Sequence, residues 1–317
     1  MQFRTQIPIA KSNHQIDYGS EIVSLGSCFA VNMGDKLDYF KFQNTTNPFG
    51  ILFHPLALEK FITFALRDIH YTEADIFYLN ERWHCFDAHS DLSDPVKESL
   101  LNSLNSALSK THKKLSTASH LIITLGTAWV YTHLKTEELV ANCHKVPQKE
   151  FSKRLLTSQE IALSLQNSID ITRKINPDLQ LIFTVSPVRH IKDGYIQNQW
   201  SKSNLIAALH SVINSAGNEN CSYFPSYEIM MDELRDYRFY TEDMIHPNIT
   251  AIDYIWLRFT ETWISENALA IMKEADSIQK GLQHRPFNPD SDQHRDFVNR
   301  INSRIAKLQE LYPHITF

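Results

Sequence analysis

Three short apolar runs, each ended by a residue that breaks a strand, constrain the fold of this chain more than any other feature. Ile22-Val23-Ser24-Leu25 stops at Gly26, Leu121-Ile122-Ile123-Thr124-Leu125 at Gly126, and Leu181-Ile182-Phe183-Thr184-Val185 at Ser186-Pro187. Continuous β-branched runs of this length predict strands buried on both faces. Glycine sharpens the reading, because 8 glycines in 317 residues is well under the ~7% that is usual. Those that directly follow such runs are expected to mark turns that need φ > 0.

Helical stretches lie between the runs. Leu56, Phe61, Phe64 and Ala65 trace one face of a segment over 55–67. Val96, Leu100, Leu104 and Leu108 trace a second after Asp94-Pro95, with Asp94 as the expected cap and Pro95 at the first helical position. A third runs from Ser158 to Ile175, ahead of Pro177. Strand and helix alternate, which predicts right-handed βαβ crossovers and an α/β fold, a parallel sheet with helices on both faces. Two aromatic and β-branched pairs, around Asn80-Glu81-Arg82 and Lys135-Thr136-Glu137, read as inserted hairpins. Residues 1–265 form one domain in this reading. Residues 266–317 form a helical C-terminal extension, whose stripe of Phe297, Ile301, Ile305 and Leu308 must be covered by its own domain or by a second copy.

Composition removes several function classes. A chain with 43% hydrophobic and 21% charged residues folds into a core, and 31 Lys and Arg against 36 Asp and Glu leave no basic footprint for nucleic acid or an anionic membrane. The longest nearly apolar run, 121–131, falls short of the ~18 residues that span a bilayer. No signal peptide is visible at the start, so a cytoplasmic location is expected. Cys28, Cys85, Cys143 and Cys221 lie far apart without CxxC spacing and read as free thiols.

Ligands of open parallel sheets gather outside the carboxyl ends of the strands. Those ends here are Gly26-Ser27-Cys28, Gly126-Thr127 and Ser186-Pro187-Val188-Arg189-His190. A thiol between a strand end and a helix start meets backbone N–H groups that favour thiolate. Cys28 is therefore a candidate nucleophile, and equally a small buried apolar residue. Asp243 and His246 are three apart, so one helical turn would bring the carboxylate to the imidazole. Pro247 biases His246 away from helix. His190 could bind substrate or cap its loop, and His84 and His89 read as solvated loop histidines. Cys28, Cys143, His144 and His246 make a zinc set by residue type, although adjacent Cys143 and His144 are poor metal-ligand spacing. No metal or cofactor is expected.

The string GSCFA at 26–30, the Asn-Cys-His-Lys at 142–145, Ser-Pro-Val-Arg-His at 186–190 and the stretch from Pro225-Ser226-Tyr227-Glu228 to His246-Pro247 resemble the GSCFA family. The order of these blocks is similar to that of the SGNH, or GDSL-like, hydrolase superfamily. The resemblance implies a flavodoxin-like sheet. It puts Cys28 at the nucleophile, Ser27 at the preceding aspartate and as fallback nucleophile, and Asp243 and His246 at the triad acid and base. It implies an oxyanion hole from the N–H groups of Cys28 and Gly50, with Gly126, Thr127, Trp129, His144 and His190 toward the substrate. The third block departs from the pattern, since Gly126-Thr127-Ala128 lacks the asparagine donor, and Trp129 is the candidate substitute. The expected activity is that of a hydrolase or acyltransferase acting on an ester of a small molecule or carbohydrate. A non-catalytic scaffold that binds a glycan or acyl ligand is the alternative.

Overall fold

The structure, a computed structural model, describes residues 5–215 and 217–317. From the N-terminal side, β1 (Glu21–Gly26) leads into α1 (Cys28–Tyr39), β2 (Gln43–Thr46) and α2 (Pro55–Leu66). A hairpin of β3 (Ile76–Leu79) and β4 (Arg82–Cys85) precedes α3 (Lys97–Thr117) and β5 (His120–Leu125). A second insertion carries β6 (Trp129–His133), β7 (Leu139–Val140) and β8 (Phe151–Leu155). The chain continues through α4 (Ser158–Ile175), β9 (Gln180–Val185), α5 (Tyr195–Ile213), β10 (Cys221–Phe224) and the short α6 (Ser226–Glu228). It ends with α7 (Ile249–Trp263), α8 (Glu266–Leu282) and α9 (Asp292–Leu311).

The central sheet has five parallel strands in the order β10-β9-β5-β1-β2. Both faces are covered, as the continuous apolar runs require. Val23, Leu25, Leu121, Ile123 and Phe183 pack on one side with residues of α2 to α5. Ile22, Ile122 and Ile182 pack on the other with Phe29 of α1, Ile255 and Phe259 of α7 and Met272 of α8. The winding direction reverses between β1 and β5, so the crevice at their carboxyl ends is the topological switch point. Gly26 is in register with Thr124 there.

Several local expectations are corrected. Asp94 does not cap α3 with Pro95 as its first residue. Backbone bonds pair Asp94 with Trp83, which delays the helix to Lys97, and the Asp94 carboxylate instead accepts from Val96 N–H at 2.7 Å and Ser99 Oγ at 3.0 Å. Arg82 lies in β4 opposite Leu79, so the first hairpin turn is Asn80-Glu81 alone, both at positive φ as a primed two-residue turn demands. The second insertion gains a third strand, β8, which pairs along β6. His84 is buried rather than solvated, with its ring nitrogens on Ser93 Oγ and Leu79 O, and the half-buried His89 accepts from Asp91 N–H.

The C-terminal region folds back. Ile301 and Leu308 of α9 pack on Ile278 of α8 with Phe297 and Ile305, and Arg304 grips Glu274 through two bonds of 2.6 and 2.8 Å. Beyond α9, Tyr312 and the fully buried Ile315 join the core that holds Tyr18 and Phe42. The stripe is thus covered by its own chain. Among the described residues no helix is long and apolar enough to cross a membrane.

Candidate functional site

The turn from β1 into α1 is fixed from both sides. Gly26 has φ 135°, and a Cβ there would stand 2.1 Å from Thr124 O, so no other residue fits without moving the neighbouring strand. Its N–H donates to Asn47 Oδ1 at 2.8 Å and its carbonyl accepts from Leu52 N–H at 3.0 Å. Ser27 is the N-cap of α1, yet its hydroxyl does not cap the helix. That hydroxyl is fully buried and has no partner. Cys28 is the first helical residue and only partly buried, so it is the more open of the two adjacent candidates.

The thiol itself corrects one expectation. Burial pushes Cys28 upward more strongly than the Lys202 ammonium and the N–H groups of Phe29 and Cys28 pull it down, so the helix start does not by itself make a thiolate. Burial drives Cys143 and Cys221 up to about 11 and Cys85 to about 12. Cys28 alone of the four is opposed by both a buried ammonium and first-turn amides.

Two expected oxyanion donors are already engaged. Gly50 N–H donates to Asn47 O at 2.8 Å, and a Cβ on Gly50 would lie 2.3 Å from His89 Cβ. Gly50 therefore serves a tight turn against His89. The indole N–H of Trp129 reaches Gln197 O at 3.4 Å. Gly126 and Thr127 both donate their N–H to Phe53 O, at 2.8 and 3.0 Å, and Ala128 N–H donates to Ser201 Oγ at 2.7 Å. Ser27 Oγ, Asn47 Nδ2, Thr124 Oγ1 and His190 Nε2 are four of the eight buried side-chain atoms without a partner among the described residues. Such atoms are few in native proteins, and half of them here belong to this end of the sheet.

Asp243 and His246 do meet, with Oδ2 2.6 Å from Nδ1. They do so on an irregular turn, with Met244 at φ 59°, rather than on a helix. Asp243 Oδ1 accepts from His246 N–H, Ile245 N–H and Thr241 Oγ1. These donors, led by His246 N–H, hold the carboxyl well below the usual carboxylate range. Asn248 then caps α7 through Ala251 N–H. His246 Nε2 has no partner among the described residues, and Cys28 has no hydrogen bond to His246. The acid–imidazole half of the expected triad is formed, and no hydrogen bond joins it to the Cys28 thiol.

Sequence reasoning missed Lys202. This lysine of α5 is fully buried, and its Nζ donates at 2.8 Å to both Gly126 O and Ser186 O, the carbonyls just past the ends of β5 and β9. A Cβ on Gly126 would sit 3.2 Å from Ser27 Cβ, so Lys202 underlies the Cys28 turn. Burial lowers it to about 7, against the pull of Cys28 and Glu228. The signal was a lysine in phase with the buried stripe of α5, which includes Asn198, Ser201, Leu205 and Val212.

His190 connects these groups. Its N–H donates to Asn198 Oδ1 at 2.8 Å, and burial, then the charges of Lys202 and His246, bring its ring down to about 4. It lines a cavity of about 410 Å³ together with Phe53, Thr127, Trp129, Tyr131 and Cys143, a size usual for small-ligand sites. His144 is not among them. Its ring is held by Cys85 O at 2.6 Å and Ser90 Oγ at 3.3 Å, between His84 and Phe77. The four-residue zinc set is not assembled, and among the described residues no three His, Cys, Asp or Glu side chains stand ready to share an ion.

The model of the GSCFA family matches residues 21–259. That of the GSCFA domain protein, C-terminal domain, matches residues 275–317. No curated protein matches the chain.

Proposed function

The chain belongs to the GSCFA family, and from that premise we propose that it is an acyl-transfer catalyst of the SGNH, or GDSL-like, type, with Cys28 as nucleophile. Its substrate is an ester of a small molecule or carbohydrate. His246 Nε2 takes the proton of the Cys28 thiol as Sγ bonds to the ester carbonyl carbon, and the carbonyl electrons move to oxygen. Collapse of that oxyanion expels the alcohol, which takes a proton from His246 Nε2, and leaves a thioester on Cys28. His246 then takes a proton from water or an acceptor hydroxyl as that oxygen bonds to the acyl carbon, and gives it to the Cys28 thiolate as the S–C bond breaks, so hydrolysis and transfer share one intermediate. Asp243 fixes the tautomer and orientation of His246, and the Cys28 N–H donates to the oxyanion. A reduced thiol as nucleophile suits the cytosol.

The observation that carries this reading is the position of the Cys28 turn at the switch point between β1 and β5, where open parallel sheets bind their ligands. The formed Asp243–His246 pair supports it. The test is steady-state release of p-nitrophenol from p-nitrophenyl acetate by the wild type, Cys28→Ala and Ser27→Ala. Turnover lost with Cys28→Ala and kept with Ser27→Ala is expected. Turnover kept with Cys28→Ala and lost with Ser27→Ala would reverse the choice of nucleophile.

The engaged N–H of Gly50 and indole of Trp129 favour a second reading, a scaffold that binds a glycan or acyl ligand without turning it over. Losing one oxyanion donor costs about 10²- to 10³-fold in rate. Saturable ligand binding by a protein with no p-nitrophenol release and no acyl adduct would support that reading over the first.

A further inference from the structure

We propose that the cavity lined by Phe53, Trp129, Tyr131, Val140 and His190 holds the acyl group of the ester, and that this group is an aliphatic chain longer than acetyl. The inference rests on the acyl-transfer reading and names the apolar half of its substrate.

The cavity, of about 410 Å³, begins at the switch point. Leu52 N–H donates to Gly26 O at 3.0 Å, and Phe53 O accepts from both Gly126 and Thr127 N–H, so residues 52 and 53 bridge the ends of β1 and β5. A Cβ on Gly126 would stand 3.2 Å from Ser27 Cβ and 3.3 Å from Phe53 Cδ1. Phe53 therefore belongs to the surroundings of the Ser27-Cys28 turn and to the cavity at once. Its ring meets that of His190 edge-on, with centroids 5.6 Å apart.

A second wall comes from the inserted sheet. Trp129 and Tyr131 are two apart on β6 and share a face, to which Val140 of β7 and Lys153 of β8 belong as the cross-strand partners of Tyr131. Lys153 Nζ lies 4.7 Å from the Trp129 ring centroid and 5.4 Å from that of Tyr131, and it pairs with Asp193. The Trp129 indole N–H reaches Gln197 O. The insertion is thus fastened to the segment that follows β9, and its aromatic face closes one side of the cavity.

The polar groups of the lining are mostly engaged within the protein. His54 accepts from Ala57 N–H and bonds Val140 O, and Thr127 Oγ1 sits between Ser201 Oγ and Trp129 N–H. Burial drives the Cys143 thiol up to about 11, so it lines the cavity as a neutral, nearly apolar group. What remains is His190 Nε2, buried and without a partner among the described residues, with the half-buried Tyr131 hydroxyl and the exposed Lys192. A sugar ring seated here would leave most of its hydroxyls unpaired, at a cost for each. A hydrocarbon chain loses no hydrogen bonds, and its single carbonyl needs few partners.

The experiment compares kcat/KM for p-nitrophenyl acetate, butyrate and hexanoate, which share one leaving group. In the wild type, kcat/KM is expected to rise about threefold or more for each added methylene. Values that stay level or fall from acetate to hexanoate would overturn the proposal. Ala141→Phe places a ring in the cavity, and it is expected to lower the hexanoate-to-acetate ratio by about tenfold or more. An unchanged ratio in the folded variant would likewise overturn it. Binding is measured separately by titrating hexanamide into the wild type and following tryptophan fluorescence. A saturable change that disappears in Trp129→Phe is expected. No saturable change, or an equal one with methyl glucoside, would contradict the proposal. Failure of the underlying reading is distinct, because it shows as a wild type that turns over none of the three esters while hexanamide still binds.

Discussion

Asp243 Oδ2 lies 2.6 Å from Nδ1 of His246, while three donors converge on its other oxygen. The carboxylate is therefore held by its own turn, and the imidazole is oriented with Nε2 left without a partner among the described residues. Asp243→Asn removes the charge that fixes the tautomer. It is expected to lower kcat by about 10²-fold or more with little change in KM. Equal steady-state rates for the variant and the wild type would separate the pair from the reaction.

His246→Gln tests how proton transfers are divided. With His246 taking the thiol proton, the burst of the first turnover and the steady state are both expected to fall by about 10²-fold. A variant that keeps a fast burst while only its steady state falls would separate His246 from the attack.

The three strand runs and their breakers were legible in the sequence because burial on both faces leaves no polar alternation to blur. The edge strands were not. Gln43–Thr46 is polar and half-buried, and Cys221–Phe224 is four residues long, so neither stands out from loop. The Asp243–His246 contact could be read from spacing, although a turn rather than a helix makes it. The hydrogen bonds that engage Gly50, Trp129 and His144 could not be read, because they go to carbonyls of Asn47, Gln197 and Cys85, and two of those partners are distant in sequence. Lys202 stayed hidden for the same reason, since its carbonyl partners lie 76 and 16 residues away.

Gly26→Ala tests the turn that aims Cys28. The added methyl meets Thr124 O at 2.1 Å with φ at 135°, which combines backbone strain with a clash between strands. The expected loss is about 3 kcal/mol or more of unfolding free energy in urea. A midpoint unchanged from wild type would contradict the packing described for β1 and β5.

Buried histidines set an acid limit on stability. Burial brings His54 and His144 each to about 4 in the folded protein, whereas an unfolded histidine titrates near ~6.5. The unfolded state then binds more protons between these values, so stability is full above about pH 6.5 and declines as pH falls toward about 4. Each ring contributes a few kcal/mol to that decline. Thermal melts at intervals of pH are expected to show a falling Tm across this window. His144→Asn should reduce the slope, and a Tm flat from pH 6.5 to 4.5 would refute the account.

Truncation after Lys280 removes α9 and the chain end that fills the core around Tyr18 and Phe42. The expected product is insoluble or several degrees less stable by thermal melt, because apolar surface on α8 and around Tyr18 is uncovered. A truncated protein as stable as the full chain would show that the intramolecular packing of Ile301, Leu308 and Ile315 contributes nothing.

The central claim is that Cys28 carries the acyl group. Rapid acid quench of the wild type and of Cys28→Ala after brief reaction with p-nitrophenyl acetate, followed by peptide mass spectrometry, tests it most directly. The account predicts one acetyl group on the peptide containing Cys28, formed within the first turnover and absent from Cys28→Ala. An acetyl group found on Ser27, Cys143 or no residue at all, with ester still consumed, would contradict it.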